Sequence, residues 1–184
     1  VNMLDTSRNY AMGESEKRIG IAIKANDGWP EKFVLSTKID RNMDTLVLDE
    51  KRTRESIEES LKALNVDSVD VLFLHDPEYV KDINDVTKKD GALDELFKIK
   101  EEGLAKAVGL AMGRIDIMFP ILRKWDFDVI INHNRYTLLN REAGEMYSYA
   151  HSKNISIFNA APYAGGVLAK GPNNFKKITY QDAT

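Results

Sequence analysis

The sequence predicts an α/β fold made of parallel βα units. Short β-rich runs and helical stretches alternate about six times along the 184 residues. Residues 69–75, VDVLFLH, are apolar nearly throughout, which is typical of a strand covered on both faces. Such alternation favours parallel strands joined by right-handed helical crossovers. An open doubly wound sheet and a (β/α)8 barrel both contain these units, and the pattern leaves both architectures open.

Three strands and two helices are predicted in the first half of the chain. We expect strands at residues 1–5, 33–38 and 69–75, and helices at residues 15–24 and 50–64. The earlier helix carries aliphatic residues on one face. The later helix is the clearest, because Ile57, Leu61 and Leu64 are spaced i, i+4 and i+7. Asp49 precedes this helix and is its predicted N-cap.

The second half of the chain continues the same alternation. We expect helices at residues 92–102, 115–124 and 142–152, and strands at residues 104–110, 129–133 and 155–160. Asp90 and Asn140 are the predicted N-caps of the first and third of these helices. Gly103 is expected to end the first. After Gly171 the pattern gives way to a polar tail.

Composition excludes several classes of function. The chain has no cysteine, which excludes disulfides, thiolate metal sites and a cysteine nucleophile. Its 26 basic and 29 acidic residues are interspersed, so we expect no nucleic-acid partner. No apolar run approaches the roughly 18–20 residues of a membrane helix, and no export signal is recognisable. We therefore expect one cytoplasmic domain, 1–184, without membrane contact; the oligomeric state is not indicated.

Two common phosphate-binding loops are missing from the sequence. Neither G-x-G-x-x-G nor G-x-x-x-x-G-K-[ST] follows any predicted strand. Their absence counts against the nucleotide-binding versions of the open sheet. The three histidines have no metal-ligand spacing, so no metal site is expected.

Polar residues of complementary chemistry stand at the ends of the first three strands. Asp5, Lys38 and His75 close these strands, and Tyr10 follows the first. In a barrel, residues at the carboxyl ends of strands meet at one face. A lysine held charged by an aspartate can lower the pKa of a phenol, and an imidazole can orient a reacting oxygen. Each residue alone also has a structural interpretation, but the four together favour a proton-transfer site.

These residues lie within longer motifs. D-T-S-R-N-Y at 5–10, S-T-K at 36–38 and E-G-L-A-K-A-V-G at 102–109 resemble the signatures of the aldo-keto reductases. R-Y-T-L-L at 135–139 and the segment N-A-A-P-Y-A-G-G-V-L-A at 159–169 are similar to the aldose 1-dehydrogenase branch, which oxidises D-threo-aldoses, L-fucose or galactose. The resemblance covers nearly the whole chain in order. It implies the (β/α)8 barrel.

The resemblance also implies a mechanism. Tyr10 would be the general acid and base, Lys38 would lower its pKa, Asp5 would pair with Lys38, and His75 would orient the reacting oxygen. Hydride would pass between NAD or NADP and an aldose or aldehyde. Contacts to this cofactor are expected from seven residues in the second half of the chain: Ala111, Met112, His133, Ala160, Tyr163, Gly165 and Gly166.

Three positions depart from the family pattern. The usual Ser-Asn pair is replaced around Ala111 and Met112, so its side-chain hydrogen bonds to the nicotinamide are lost. The tyrosine that stacks on the nicotinamide falls at Ala160, and Tyr163 is a candidate replacement. The sixth-strand glutamine falls at Ile131 or His133, of which only His133 could form a hydrogen bond.

Length is the largest departure. A (β/α)8 barrel takes about 250 residues, so we expect this chain to hold roughly units two to seven of a longer enzyme. Two other readings stay open: a regulatory barrel that senses cofactor, like the channel β-subunits, or an inactive remnant. The four filled positions at the strand ends favour an enzyme.

Overall fold

The computed structural model of the chain describes residues 2–170. Residue Val1 of the first predicted strand and the polar tail expected after Gly171 lie outside the described residues. By their backbone contacts the residues form two compact units, with the division after Ala111. None of the helices in the described part is long and apolar enough to cross a membrane.

The first unit contains parallel strands that pair in chain order. They are β1 (Met3–Asp5), β2 (Val34–Ile39), β3 (Val69–His75) and β4 (Ala105–Met112), the last of which ends one residue past the division. The helices are α1 (Glu14–Ala25), α2 (Glu50–Leu64), the short α3 (Asn84–Thr87) and α4 (Ala92–Glu101). Single 3-10 turns follow β1 at Tyr10–Gly13 and β3 at Pro77–Tyr79. The strands run in register, so that their carboxyl ends lie side by side.

The core of the first unit lies between the strands and the helices. Leu72, Phe73 and Leu74 are consecutive on β3 and all are fully buried. Since neighbouring side chains of a strand point to opposite faces, both faces of β3 are covered, as its apolar sequence predicts. Ile57 of α2 and Leu96 of α4 are also fully buried. Each such side chain contributes about 1.5–3 kcal/mol through the apolar surface that it removes from water.

Close packing of α1 against α2 depends on Gly20. A Cβ atom at this position would lie 2.0 Å from the carbonyl oxygen of Ala63, far inside van der Waals contact. We therefore expect Gly20→Ala to push the helices apart and to lower the free energy of unfolding by about 1–3 kcal/mol. Urea unfolding measures the loss, and the exposed Ala22→Ser in the same helix is the control. A Gly20→Ala variant as stable as the parent would contradict this packing.

The second unit contains two paired strands and three helices. The elements are α5 (Ile115–Leu122), β5 (Val129–His133), α6 (Gly144–Ser152), β6 (Ser156–Ala160) and α7 (Val167–Lys170), with a 3-10 turn at Ala164–Gly166. β5 and β6 are parallel, and His133 lies opposite Ala160. Met118 of α5, Ile130 of β5 and Met146 of α6 are fully buried.

The observed boundaries agree with most of the predicted ones. β3, α2 and β5 have the predicted limits, and Asp49 is the N-cap of α2, with its carboxylate accepting a hydrogen bond from the Arg52 amide at 2.8 Å. Both other predicted N-caps are wrong. Gly91, not Asp90, caps α4, and the Asp90 amide instead donates to the Asp94 carboxylate.

The predicted cap of α6 fails because the helix begins later. α6 starts at Gly144 with Ala143 at the N-cap. Asn140 serves the preceding turn, where its side-chain oxygen accepts a hydrogen bond from the Glu142 amide at 2.8 Å. The side chain that could cap a helix therefore closes a local turn, as asparagine commonly does.

Candidate active site

The first unit brings together the four residues predicted at its strand ends. The Lys38 ammonium lies 2.6 Å from the Asp5 carboxylate and 4.8 Å from the centroid of the Tyr10 ring. The Tyr10 ring meets the His75 ring edge to face, with 5.8 Å between centroids. β1, β2 and β3 are adjacent and parallel, so residues far apart in sequence reach one edge of the sheet.

Lys38 is buried and held on two sides. Only 2% of its side chain is exposed, and its Nζ donates to Asp5 Oδ2 and to the Thr6 carbonyl, both at 2.6 Å. Asp5 is itself positioned by a hydrogen bond from the Ser36 hydroxyl at 2.8 Å. A buried ammonium persists only where such partners compensate its lost hydration. Besides these two acceptors, the Tyr10 ring also lies close to the Lys38 ammonium.

Tyr10 lies on a turn whose backbone is unusual. The two residues that follow it, Ala11 and Met12, have φ of 51° and 56°, and Gly13 has φ of 87°. Residues other than glycine adopt this left-handed region rarely, at a cost of about 1–3 kcal/mol each. This turn carries the tyrosine back over Lys38 near the end of β2, while the residue stays 43% exposed. A ligand can therefore reach the phenol from solvent.

His75 has a partner that the sequence analysis missed. Its Nδ1 lies 2.7 Å from Asp40 Oδ1, and Asp40 is 2% exposed. The other carboxylate oxygen accepts hydrogen bonds from the Ser7 hydroxyl and from the Asn9 amide, the latter at 2.9 Å. Burial alone would raise the pKa of Asp40, but these contacts outweigh burial and lower it. The Asp40 carboxylate is therefore ionised at neutral pH.

A second buried carboxylate lies on the other face of β2. Glu16 is fully buried, and its Oε1 accepts a hydrogen bond from the Thr37 hydroxyl at 2.6 Å. Thr37 precedes Lys38, so the two side chains point to opposite faces of the strand. Burial raises the pKa of Glu16 in spite of the Thr37 and Ser60 hydroxyls and the Arg8 guanidinium, which lies 3.8 Å from it.

The raised pKa of Glu16 predicts a dependence of stability on pH. A carboxyl whose pKa is higher in the folded state than in the unfolded state stabilises the fold at pH values below its unfolded pKa. This contribution to the free energy of unfolding is lost as the pH rises through the pKa of the folded state. We expect Glu16→Gln to flatten that decline above about pH 4.5. Thermal unfolding across this range measures it. An equally steep decline in the variant would refute the assignment.

The seven predicted cofactor-contact residues are divided between the units. Ala111 belongs to the first unit, where it is buried beside His75 in the β3–β4 register. Met112 and five others belong to the second unit. Ala111 and Met112 are buried and carry no side-chain donor for an amide, so the side chain of neither can donate a hydrogen bond to a nicotinamide.

In the second unit, the other five lie after β5 and β6 or at their ends. His133 ends β5, and its ring packs so closely on Gly113 that a Cβ there would lie 2.6 Å from it. Ala160 ends β6, and Tyr163 beyond it is 64% exposed. Gly165 and Gly166 have φ of 64° and 95°, which leaves their backbone open to close approach. Of the two residues that end β5 and β6, His133 and Ala160, only His133 has a polar side chain.

Comparisons with known proteins agree with the motifs. Residues 1–183 match the aldo/keto reductase family. The chain is 31% identical to L-galactose dehydrogenase of Arabidopsis thaliana, over 94% of this chain and 54% of that protein. It is also 31% identical to D-threo-aldose 1-dehydrogenase of Pseudomonas sp, over 92% and 58%, and 30% identical to a probable voltage-gated potassium channel subunit beta of Arabidopsis thaliana, over 91% and 52%.

A solved structure gives the same fold. The aldo-keto reductase AKR11C1 from Bacillus halodurans, in its holo form, matches with a TM-score of 0.75 at 24% identity, over 94% of this chain and 56% of that one. The fold class is thus an incomplete (β/α)8 barrel, as predicted. The chain spans about half the length of the curated relatives that it matches. On these matches and motifs, the chain belongs to the aldo/keto reductase family.

Proposed function

We propose that the protein transfers hydride between a nicotinamide cofactor, NAD or NADP, and the carbonyl or anomeric carbon of an aldose or aldehyde. The observation that carries the proposal is the buried Lys38 ammonium between the Asp5 carboxylate and the Tyr10 ring, with His75 against the same ring. The two sugar dehydrogenases among the relatives support an aldose as substrate.

Tyr10 is the residue that moves the proton. In oxidation its oxygen takes the proton of the substrate hydroxyl, and in reduction it returns that proton. The adjacent Lys38 ammonium stabilises negative charge as it develops on the phenol oxygen, and burial strengthens this interaction. Asp5 acts through Lys38, because its carboxylate keeps the ammonium in place. His75, beside the Tyr10 ring, binds the reacting oxygen and fixes its orientation.

The cofactor supplies or accepts the hydride when it is bound. The residues of the second unit fit such a group in chemical type. His133 can form a hydrogen bond with the nicotinamide carboxamide, and Ala160 and Tyr163 offer surface to its ring. Gly165 lets the backbone approach the phosphates closely, whereas the Gly166 amide already donates to the Tyr163 carbonyl at 3.0 Å.

Titration and turnover assays of the full-length protein test the proposal. We expect NADH or NADPH fluorescence to change on binding, and one of a panel of aldoses and aldehydes to be turned over in absorbance assays. Binding without turnover of any member would favour a cofactor-sensing barrel, which the channel-subunit relative also makes a candidate. No change in NADH or NADPH fluorescence would favour an inactive remnant.

A further inference from the structure

We propose that Arg8 is a positioning residue whose guanidinium holds the turn at residues 9–13 against α1 and α2 and so keeps the Tyr10 phenol over Lys38. This segment is called the Tyr10 turn from here on. The structural part of the inference stands on the contacts of Arg8. Its consequence for turnover rests on the function proposed above.

The Tyr10 turn has a backbone that its own residues do not favour. Ala11 and Met12 both lie in the left-handed region, with φ of 51° and 56°. Neither has a polar side chain that could bond to the local backbone, as asparagine does in this region. Met12 is 95% exposed, so its side chain adds no packing. Because such a backbone persists only where surrounding contacts determine it, the turn depends on its neighbours.

The end of the Tyr10 turn packs directly on the guanidinium of Arg8. A Cβ atom at Gly13 would lie 2.6 Å from Arg8 Nη1 and 3.5 Å from Cζ. The Arg8 side chain is 22% exposed, and its Nη1 is buried. A guanidinium is planar and rigid, so it offers the turn a surface of fixed shape. Arg8 can support the turn in this way only if the guanidinium is itself held in place.

Two carboxylates hold the guanidinium. Arg8 Nε donates to Glu59 Oε2 of α2 at 2.9 Å, and Nη1 lies 3.8 Å from Glu16 Oε2 of α1. Glu59 also receives both Nη atoms of Arg52, at 3.0 Å each. Hydrogen bonds from Arg52 and then from Arg8 lower the pKa of Glu59, so its carboxylate is ionised at neutral pH. Arg8 is thus anchored to both helices.

The other end of the Tyr10 turn is held separately. The Asn9 amide donates to Asp40 Oδ2 at 2.9 Å. The backbone carbonyl of Asp40 in turn accepts from Arg52 Nε at 3.1 Å, and Arg52 is bound to the same Glu59 that holds Arg8. Tyr10 therefore lies between two fixed ends. Removing the Arg8 guanidinium releases the end at Gly13 and leaves the end at Asn9 in place.

The position of the phenol depends on both ends. Proton transfer needs the Tyr10 oxygen within hydrogen-bond distance of the reacting oxygen, and a displacement of about 1 Å can cost about 100-fold in rate. With one end released, the ring leaves its place over Lys38 for part of the time, and kcat falls accordingly. None of the proposed cofactor-contact residues belongs to the turn, so cofactor affinity should not follow kcat.

Hydrogen exchange of the full-length protein, followed by mass spectrometry, tests the clamp without any substrate. The Tyr10 amide donates to the Ser7 carbonyl and the Met12 amide to the Asn9 carbonyl, so both are protected only while the turn is closed. We expect Arg8→Gln to speed exchange in the peptide that contains these amides by about 10-fold. Arg8→Lys keeps the charge but not the planar fork, and its effect should be smaller, at about threefold.

The matched control is Arg54→Gln, because Arg54 forms the same kind of clamp elsewhere in the first unit. Arg54 of α2 donates to Glu95 at 2.6 Å and to Glu102 at 2.8 Å, and its side chain is 27% exposed. Exchange in the Tyr10 turn should stay within about twofold of the parent in this variant. Unchanged exchange in Arg8→Gln, or the same increase in Arg54→Gln, would overturn the inference. If Arg8→Gln fails to fold, the same comparison with Arg8→Lys decides.

Steady-state kinetics test whether the clamp serves the phenol. We expect Arg8→Gln to lower kcat for the preferred aldose by about 10-fold, with KM and cofactor affinity within about threefold of the parent. In a Tyr10→Phe background the same substitution should change the remaining kcat by less than about twofold, because no hydroxyl is left to position. Equal losses in both backgrounds would overturn the positioning role. Faster exchange in Arg8→Gln of a protein that turns over no aldose or aldehyde would support the clamp and reject the proposed function.

Discussion

Tyr10→Phe is expected to reduce kcat by about 10²- to 10⁴-fold while cofactor affinity stays within a few-fold. The substitution removes only the hydroxyl oxygen, which is the atom proposed to carry the proton. The ring remains and keeps both its contact with His75 and its position beneath the Lys38 ammonium. A loss of this size corresponds to about 3–5 kcal/mol of transition-state stabilisation. Turnover of the preferred aldose and a nicotinamide fluorescence titration measure the two quantities.

A matched control separates chemistry from packing in this experiment. Tyr149 in α6 is another partly exposed tyrosine whose ring packs edge to face on an aromatic neighbour, Phe119, with centroids 5.5 Å apart. Tyr149→Phe removes the same atom from a place remote in sequence from the strand-end motifs, and its kcat should equal that of the parent. If Tyr10→Phe retained full turnover, the assignment of Tyr10 as the acid and base would be refuted.

The fold could be predicted where the pattern is periodic. The structure has the predicted limits for α2, β3 and β5. Their limits were predictable because a pattern of apolar residues over a whole element is a stronger signal than any single residue. The cap at Asn140 failed because its side chain accepts from a turn amide instead of a helix amide. The cap at Asp90 failed because α4 begins at Ala92, so that Gly91 is the residue directly before it. The 3-10 turns and the four-residue helices were missed because they are too short to show a period.

The candidate site was predictable only in part. Asp5 and His75 end β1 and β3, and Lys38 lies one residue before the end of β2. Parallel pairing of neighbouring strands brings such ends together whatever lies between them. Asp40 was not found because it lies 35 residues from His75 in the sequence. Its side chain reaches His75 only because β2 and β3 pair in a particular register. One signal was present: an aspartate just past a buried strand needs a partner. The sequence could not say which residue would supply it.

Lys38→Met is the second substitution with a large expected effect. Methionine fills much of the same space but has no charge, so negative charge that develops on the phenol loses the ammonium that lies 4.8 Å from the centroid of the Tyr10 ring. We expect kcat at neutral pH to fall by about 10²-fold or more. In the oxidation direction, the remaining activity should rise further into the alkaline range than that of the parent, since the phenol must lose its proton without assistance. A kcat–pH profile measures both effects.

Stability must be followed in the same variant, because Lys38→Met also breaks a buried ion pair. Removing one partner of such a pair is costly when the other stays buried, but here the Asp5 side chain is 36% exposed and can be hydrated. It also keeps its hydrogen bond from the Ser36 hydroxyl. We therefore expect a folded protein, with thermal unfolding as the check and Lys38→Met/Asp5→Asn as the variant in which neither charge remains. If that double variant regained the turnover of the parent, Lys38 would act only by neutralising Asp5; a parental pH profile in Lys38→Met would exclude its role beside Tyr10.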